Sequence, residues 1–114
     1  MPDTIPFVSS ASFDRARLEP FEVGQVQWMR RFGVGGRPAG AAGFWVVTPE
    51  DAPEQFTVVG EADETVFILE GRLTIEVDGE DALELIAGSS ASFNRGVTTR
   101  WSIHEPVVEF FVYS

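Results

Sequence analysis

The chain has 114 residues, contains neither cysteine nor lysine, and carries a formal net charge of −10. That length suffices for a single domain with its own core, while the missing residue types exclude disulfide scaffolds, thiolate zinc sites, cysteine nucleophiles, Schiff-base lysines and a phosphate-loop lysine. Residues 41–114 hold three arginines against fourteen acids, a balance that repels a phosphate backbone and argues against nucleic acid as a partner.

At the start, Met1-Pro2-Asp3 lacks the basic-then-apolar order of a leader, and no apolar run approaches the ~20 residues of a membrane span. A soluble cytoplasmic protein with no membrane partner is therefore expected. Pro2 and Pro6 disfavour regular structure, and Ile5, Phe7 and Val8 suit an extended arm on a neighbouring sheet edge. Ser12 to Leu18 allows a helical turn capped by Ser12 before Pro20 stops it. Val23, Val26 and Trp28 suit a first strand, and the stretch from Gly33 to Gly43, with five glycines and a proline, reads as a loop.

From there the pattern is strand and turn. Strands are predicted over 43–48, ended by Pro49, and over 56–59, closed by Gly60. Further strands are predicted over 65–70, 72–77, 82–86, 90–93, 97–103 and 107–113. The stretch Glu64 to Val77 organises the whole. Val66 to Leu69 is a β-branched and aromatic run suited to burial on both faces. Beyond Gly71, Leu73, Ile75 and Val77 alternate with Thr74 and Glu76, giving one dry and one wetter face. Asp78-Gly79 then signals a hairpin. Short strands at this spacing predict an antiparallel sandwich or barrel.

The same residues resemble the cupin superfamily. Glu64, six residues, then Gly71 matches the second part of the first cupin motif; Gly88, five residues, Asn94-Arg95-Gly96, two residues, then Thr99 follows the frame of the second. The wording is similar to the small cupins grouped with (S)-ureidoglycine aminohydrolase in Gly43-Phe44-Trp45, in Asp63 to Gly71, in Ala87-Gly88 and in Trp101 followed by Glu105-Pro106-Val107. The resemblance implies an all-β double-stranded β-helix, an RmlC-like jelly-roll barrel, usually a homodimer, with an interior pocket. Residues 1–42 are then an N-terminal arm with the first strands and 43–114 the cupin core, both parts of one domain.

Cupins of this kind hold a metal through two histidines ahead of the glutamate and a third from the second motif. Here those places fall at Thr57 and Val59, or at Val58 and Gly60 if the gap is one residue shorter, and at Thr99. None is histidine, so only Glu64 retains a usual ligand, and zinc, manganese or iron would be held poorly. No cofactor is predicted, with a divalent metal left open. Asn94 stands where a proline usually begins the second motif's turn, and Val108 or Glu109 stands where a lysine is often found.

Glu64 shares inward parity with Val66 and Ile68, where an apolar barrel would raise its pKa. It is the candidate acid-base group or ligand anchor, unless it merely bonds Thr57, Thr99 or an arginine to fix register. Trp45, Phe56, Phe93 and Trp101 are candidate walls for a ligand, or simply core. The predicted ligand-binding set is Trp45, Thr57, Val59, Glu64, Phe93, Thr99 and Trp101. Arg95 and Arg100 are candidates for gripping a carboxylate at the barrel mouth, and Glu61 and Asp63 read as solvated turn residues. His104, the sole histidine, falls on the strand face opposite Thr99 and reads as a partly exposed strand-end residue beside Glu105. Outward Phe67, Leu69, Phe110 and Val112 suggest a second buried face, which a dimer of sheets would cover. The expected function is a barrel with a degenerate metal site that binds a small polar organic molecule. The alternative is an enzyme acting on a small nitrogenous or carboxylate metabolite, as the ureidoglycine resemblance implies; a third reading is a purely structural barrel packed shut.

Overall fold

The computed structural model describes residues 7–114; Pro2, Ile5 and Pro6 of the expected arm lie outside this range. Phe7 lies under the Arg30 guanidinium, 4.4 Å from its ring centroid, while Val8 is exposed. A 3-10 turn at Arg15–Arg17 is capped by Asp14, whose side chain accepts from the Ala16 amide. This corrects the expected Ser12 cap: the Ser12 carbonyl instead accepts from Gln27 Nε2, and Gln27 Oε1 accepts from the Asp14 amide.

Ten strands follow: β1 (Glu19–Pro20), β2 (Gln25–Arg30), β3 (Ala41–Val47), β4 (Phe56–Val59), β5 (Glu64–Glu70), β6 (Arg72–Val77), β7 (Leu83–Ile86), β8 (Ser90–Phe93), β9 (Thr98–Ile103) and β10 (Val107–Tyr113). They form two antiparallel sheets, one of six strands ordered β1-β2-β3-β10-β5-β8 and one of four ordered β4-β9-β6-β7. This is the expected jelly-roll cupin architecture. The strand expected around Val23, Val26 and Trp28 is β2, which begins at Gln25 and leaves Val23 outside it, since Phe21 to Gly24 turns back on itself with the Phe21 amide bonded to the Gly24 carbonyl.

Two glycines are required by close approach. Gly71 joins β5 in the larger sheet to β6 in the smaller, at φ 95°, and a Cβ there would collide with the Pro106 carbonyl. Gly43 sits beside the register shift between Trp28 and Arg30, where a Cβ would strike the Gln27 carbonyl.

Between the sheets, Val66 and Ile68 of β5 and Val47 and Val107 of the same sheet meet Leu73 and Ile75 of β6, all with no exposed surface. The burial of the 66–69 run on both faces does not hold within one chain. Val66 and Ile68 are fully buried, but Phe67 is 41% and Leu69 38% exposed, because strand alternation turns them to the outside of the larger sheet. On that outer side, Phe13 packs against Phe44 and Phe44 against Phe110, so the N-terminal segment covers the β3 end.

Candidate active site in the barrel interior

β10 runs between β3 and β5 at the heart of the larger sheet, and its alternation sends Glu109 and Phe111 inward while Val112 faces out. In the ladder Tyr113 lies opposite Glu64, and Glu109 lies between Ile68 of β5 and Trp45 of β3. Three ionisable side chains from two adjacent strands therefore converge on one cavity of about 940 Å³. That volume falls within the range typical of small-molecule pockets. The reading of a barrel packed shut does not survive it.

The electrostatics are unusual for a protein interior. Glu109 is 2% exposed and its Oε1 has no hydrogen-bond partner. Burial pushes its carboxyl well above the ordinary carboxylate range, and the charge of Glu64 pushes it further. Burial also raises Glu64, opposed by the nearby Tyr113 hydroxyl, which favours the charged form. Tyr113 is itself held neutral, first by burial and then by the two carboxylates. Two carboxyl groups in one poorly solvated site behave as a coupled pair, and the second proton is the harder to remove.

Aromatic side chains form the walls. On one side Trp28 packs edge-on against Phe21, Phe32 and Phe111, and Phe32 in turn meets Tyr113. On the other, Trp45 meets Trp101 at 5.7 Å in a T-shape and Phe56 stacks on Trp101 at 21°, while Phe93, predicted as a wall, does not line the cavity and packs on Trp101 at 6.4 Å. Every indole N–H is already engaged. Trp28 Nε1 donates to Glu19, Trp45 Nε1 to the Val23 carbonyl at 2.7 Å, and Trp101 Nε1 to Thr99 Oγ1 at 2.7 Å. The tryptophans consequently offer ring surface to the cavity and no free donor.

The remaining sequence-predicted residues separate into three situations. Thr99 is buried, but its hydroxyl is consumed by Trp101 and by donation to the Val58 carbonyl, so it fastens β9 to β4. Thr57 and Val59 are exposed and touch the cavity only at its rim, whereas Phe56 and Val58 pack on the core. Strand parity therefore favours the shorter of the two histidine frames, with Val58 at an inward place. Arg95 borders the cavity with its side chain exposed, its amide held by Asp63; Arg100 is turned away, paired with Asp78 at 2.8 Å and Glu76 at 3.6 Å. His104 is exposed on the outside, 2.7 Å from Thr74 Oγ1. Glu64 bonds neither Thr57 nor Thr99; its neighbours are Tyr113 and Glu109, which sequence reasoning missed as site residues. The signal was present, since placing Phe110 and Val112 outward puts Glu109 and Tyr113 inward by alternation.

The sequence pattern of the EutQ-like cupin domain family matches residues 38–111. The chain belongs to that family. Among solved structures, this cupin is similar to a putative ethanolamine utilization protein Q from Salmonella typhimurium LT2, at 19% identity and a TM-score of 0.69, with 95% of this chain and 93% of that one covered. It is also similar to hydroxypropylphosphonic acid epoxidase from S. wedmorenis, at 14% identity and a TM-score of 0.66, covering 82% of this chain and 51% of that one. A third likeness is to a protein of the duf861 family from Thermotoga maritima, at 22% identity and a TM-score of 0.55, covering 62% of this chain and 76% of that one. At these identities the likenesses establish the fold alone. No curated protein sequence matches the chain.

The epoxidase has also been solved in an iron(II) form, so the donor set of this cupin needs testing against a metal. The described interior supplies two carboxyl groups and a phenol, with no imidazole, and no group of three histidine, cysteine or acidic side chains converges among the described residues. Burial raises both carboxyls above the ordinary carboxylate value, and the phenol keeps its proton. A transition metal requires deprotonated ligands at one point, and this set does not fit. Among the described residues, no helix is long and apolar enough to cross a membrane.

Proposed function

We propose that this cupin binds a small polar organic molecule inside its barrel, with Glu64, Glu109 and Tyr113 as the chemical centre and Trp45 and Trp101 as walls. In this reading Phe93 and Thr99 hold Trp101 in place, and Thr57 and Val59 contribute the rim. The observation that carries it is Glu109: a buried carboxyl with an unpartnered oxygen at a cavity of about 940 Å³. An unsatisfied polar group of that kind costs about 1–3 kcal/mol, which a ligand hydrogen bond would recover.

The test is a fragment screen followed by NMR, using the indole N–H signals of Trp28, Trp45 and Trp101 as reporters. Polar fragments are expected to shift these signals saturably and to lose affinity in Glu64→Gln. A screen without any such shift would sink the proposal, and unchanged binding and stability in Glu64→Gln would remove that residue from the site.

A second reading is supported by the same coupled pair, since two carboxyls with separated proton affinities are what acid-base catalysis uses. It makes the chain an enzyme on a small nitrogenous or carboxylate metabolite, in line with the resemblance to ureidoglycine aminohydrolase cupins. Metal analysis of purified protein bears on both readings: a stoichiometric divalent ion would overturn a metal-poor site. A homodimer joined through the outer face at Phe67, Leu69 and Val112 completes the proposal, supported by their exposure of 41%, 38% and 37%. Light scattering in wild type and Phe67→Asp is expected to give a dimer and a monomer respectively.

A further inference from the structure

Resting on the reading of the barrel as a ligand pocket, we infer that its ligand class is a small organic ammonium ion, held with its charged nitrogen between Glu64 and Glu109 and its carbon frame against the tryptophan faces. The charges around the cavity point that way. Among the described residues, Glu22 and Glu61 border it along with Glu64 and Glu109, against a single cation, Arg95, which sits in solvent at the edge. The hydrogen-bonding inventory points the same way. Trp28, Trp45 and Trp101 have committed their N–H groups elsewhere, so what they present is π surface. A π face attracts a cation and has nothing to donate to an anion. Glu109 Oε1 remains as an unfilled acceptor at the same place. An anionic ligand would have to bring its charge beside two carboxyls with only Arg95 in compensation.

Binding should therefore be coupled to proton release. In the empty cavity, burial holds protons on Glu109 and Glu64 above the ordinary carboxylate range. A cation between them favours the ionised forms, so protons leave as it binds. The other groups facing the pair are Tyr113, held neutral, and at the border Glu22, Glu61 and Arg95. Ammonium affinity is accordingly expected to rise as pH increases from the ordinary carboxylate range through the raised values of the pair.

The experiment compares probes of one shape and three charges: benzylammonium, benzyl alcohol and benzoate, read by tryptophan fluorescence and by calorimetry in two buffers of different ionisation heat. Benzylammonium is expected to bind tightest, to release protons, and to lose about tenfold or more in affinity in Glu109→Gln. If that variant does not fold, proton release in the wild type and the loss in Glu64→Gln decide the matter. Equal or tighter binding of the alcohol or of benzoate, or proton uptake with benzylammonium, would overturn the ammonium inference and leave the pocket reading standing. Binding of none of the three would overturn both.

Discussion

Thr99 and Glu109 are almost equally buried, at 3% and 2% exposure, on facing sheets of one barrel, yet they are in opposite chemical situations. Thr99 gives and receives one hydrogen bond each, to the Val58 carbonyl and from the Trp101 indole. Glu109 Oε1 has no partner, and its second influence is the like charge of Glu64. The buried Gln27 sides with Thr99, since both ends of its amide are engaged. Burial of a polar residue is thus a poor marker of a site, whereas burial without a partner is a good one. The smaller sheet's inner face is construction, and the larger sheet's inner face carries the unspent chemistry.

Substitutions on the two faces should separate these roles. The largest effect belongs to the construction side: Trp101→Ala removes the ring on which Trp45, Phe56 and Phe93 pack, and is expected to cost about 3–5 kcal/mol in chemical denaturation. Thr99→Val keeps the shape but leaves the Trp101 N–H unpaired, for a loss of about 1–3 kcal/mol. A neutral result there would erase the contrast with Glu109.

Glu109→Gln should behave differently, through pH. A carboxyl whose folded pKa lies above its unfolded value favours the folded state most at low pH. That contribution is lost as pH rises from the ordinary carboxylate pKa through the raised one. Wild-type stability is therefore expected to fall relative to Glu109→Gln across that window, by at most about 1.4 kcal/mol per pH unit for one group. Thermal melts of both proteins from acid to neutral pH measure it, and a constant gap would mean that Glu109 titrates normally. The smallest effect is expected at His104, exposed on the outer surface, where His104→Ala should change stability by less than about 0.5 kcal/mol and leave ligand affinity unchanged.

Much of this was legible in the residues. Alternation in Leu73-Thr74-Ile75-Glu76 and the turns at Gly71 and Asp78-Gly79 define strands whose ends the structure shifts by a residue or two, as at β3, which begins at Ala41. Glu64 kept the partly buried, inward place its parity implied. Phe56-Thr57-Val58-Val59 was ambiguous, because four strand-forming residues in a row fit either face, and only pairing with β9 decided for Phe56 and Val58.

The sequence by itself determined the strand periods, the turns, the acid-rich surface and the absence of imidazoles beside Glu64, because each depends on residue type and local spacing alone. The tertiary structure decided which side chains meet. β5 is followed in sequence by β6 but hydrogen-bonds to β10 and β8, and that long-range register sets Tyr113 opposite Glu64 with Glu109 beside them. Such pairing is chosen by how two whole sheets bury their apolar faces against each other. Two carboxyl groups far apart in the chain thereby come to share one poorly solvated cavity.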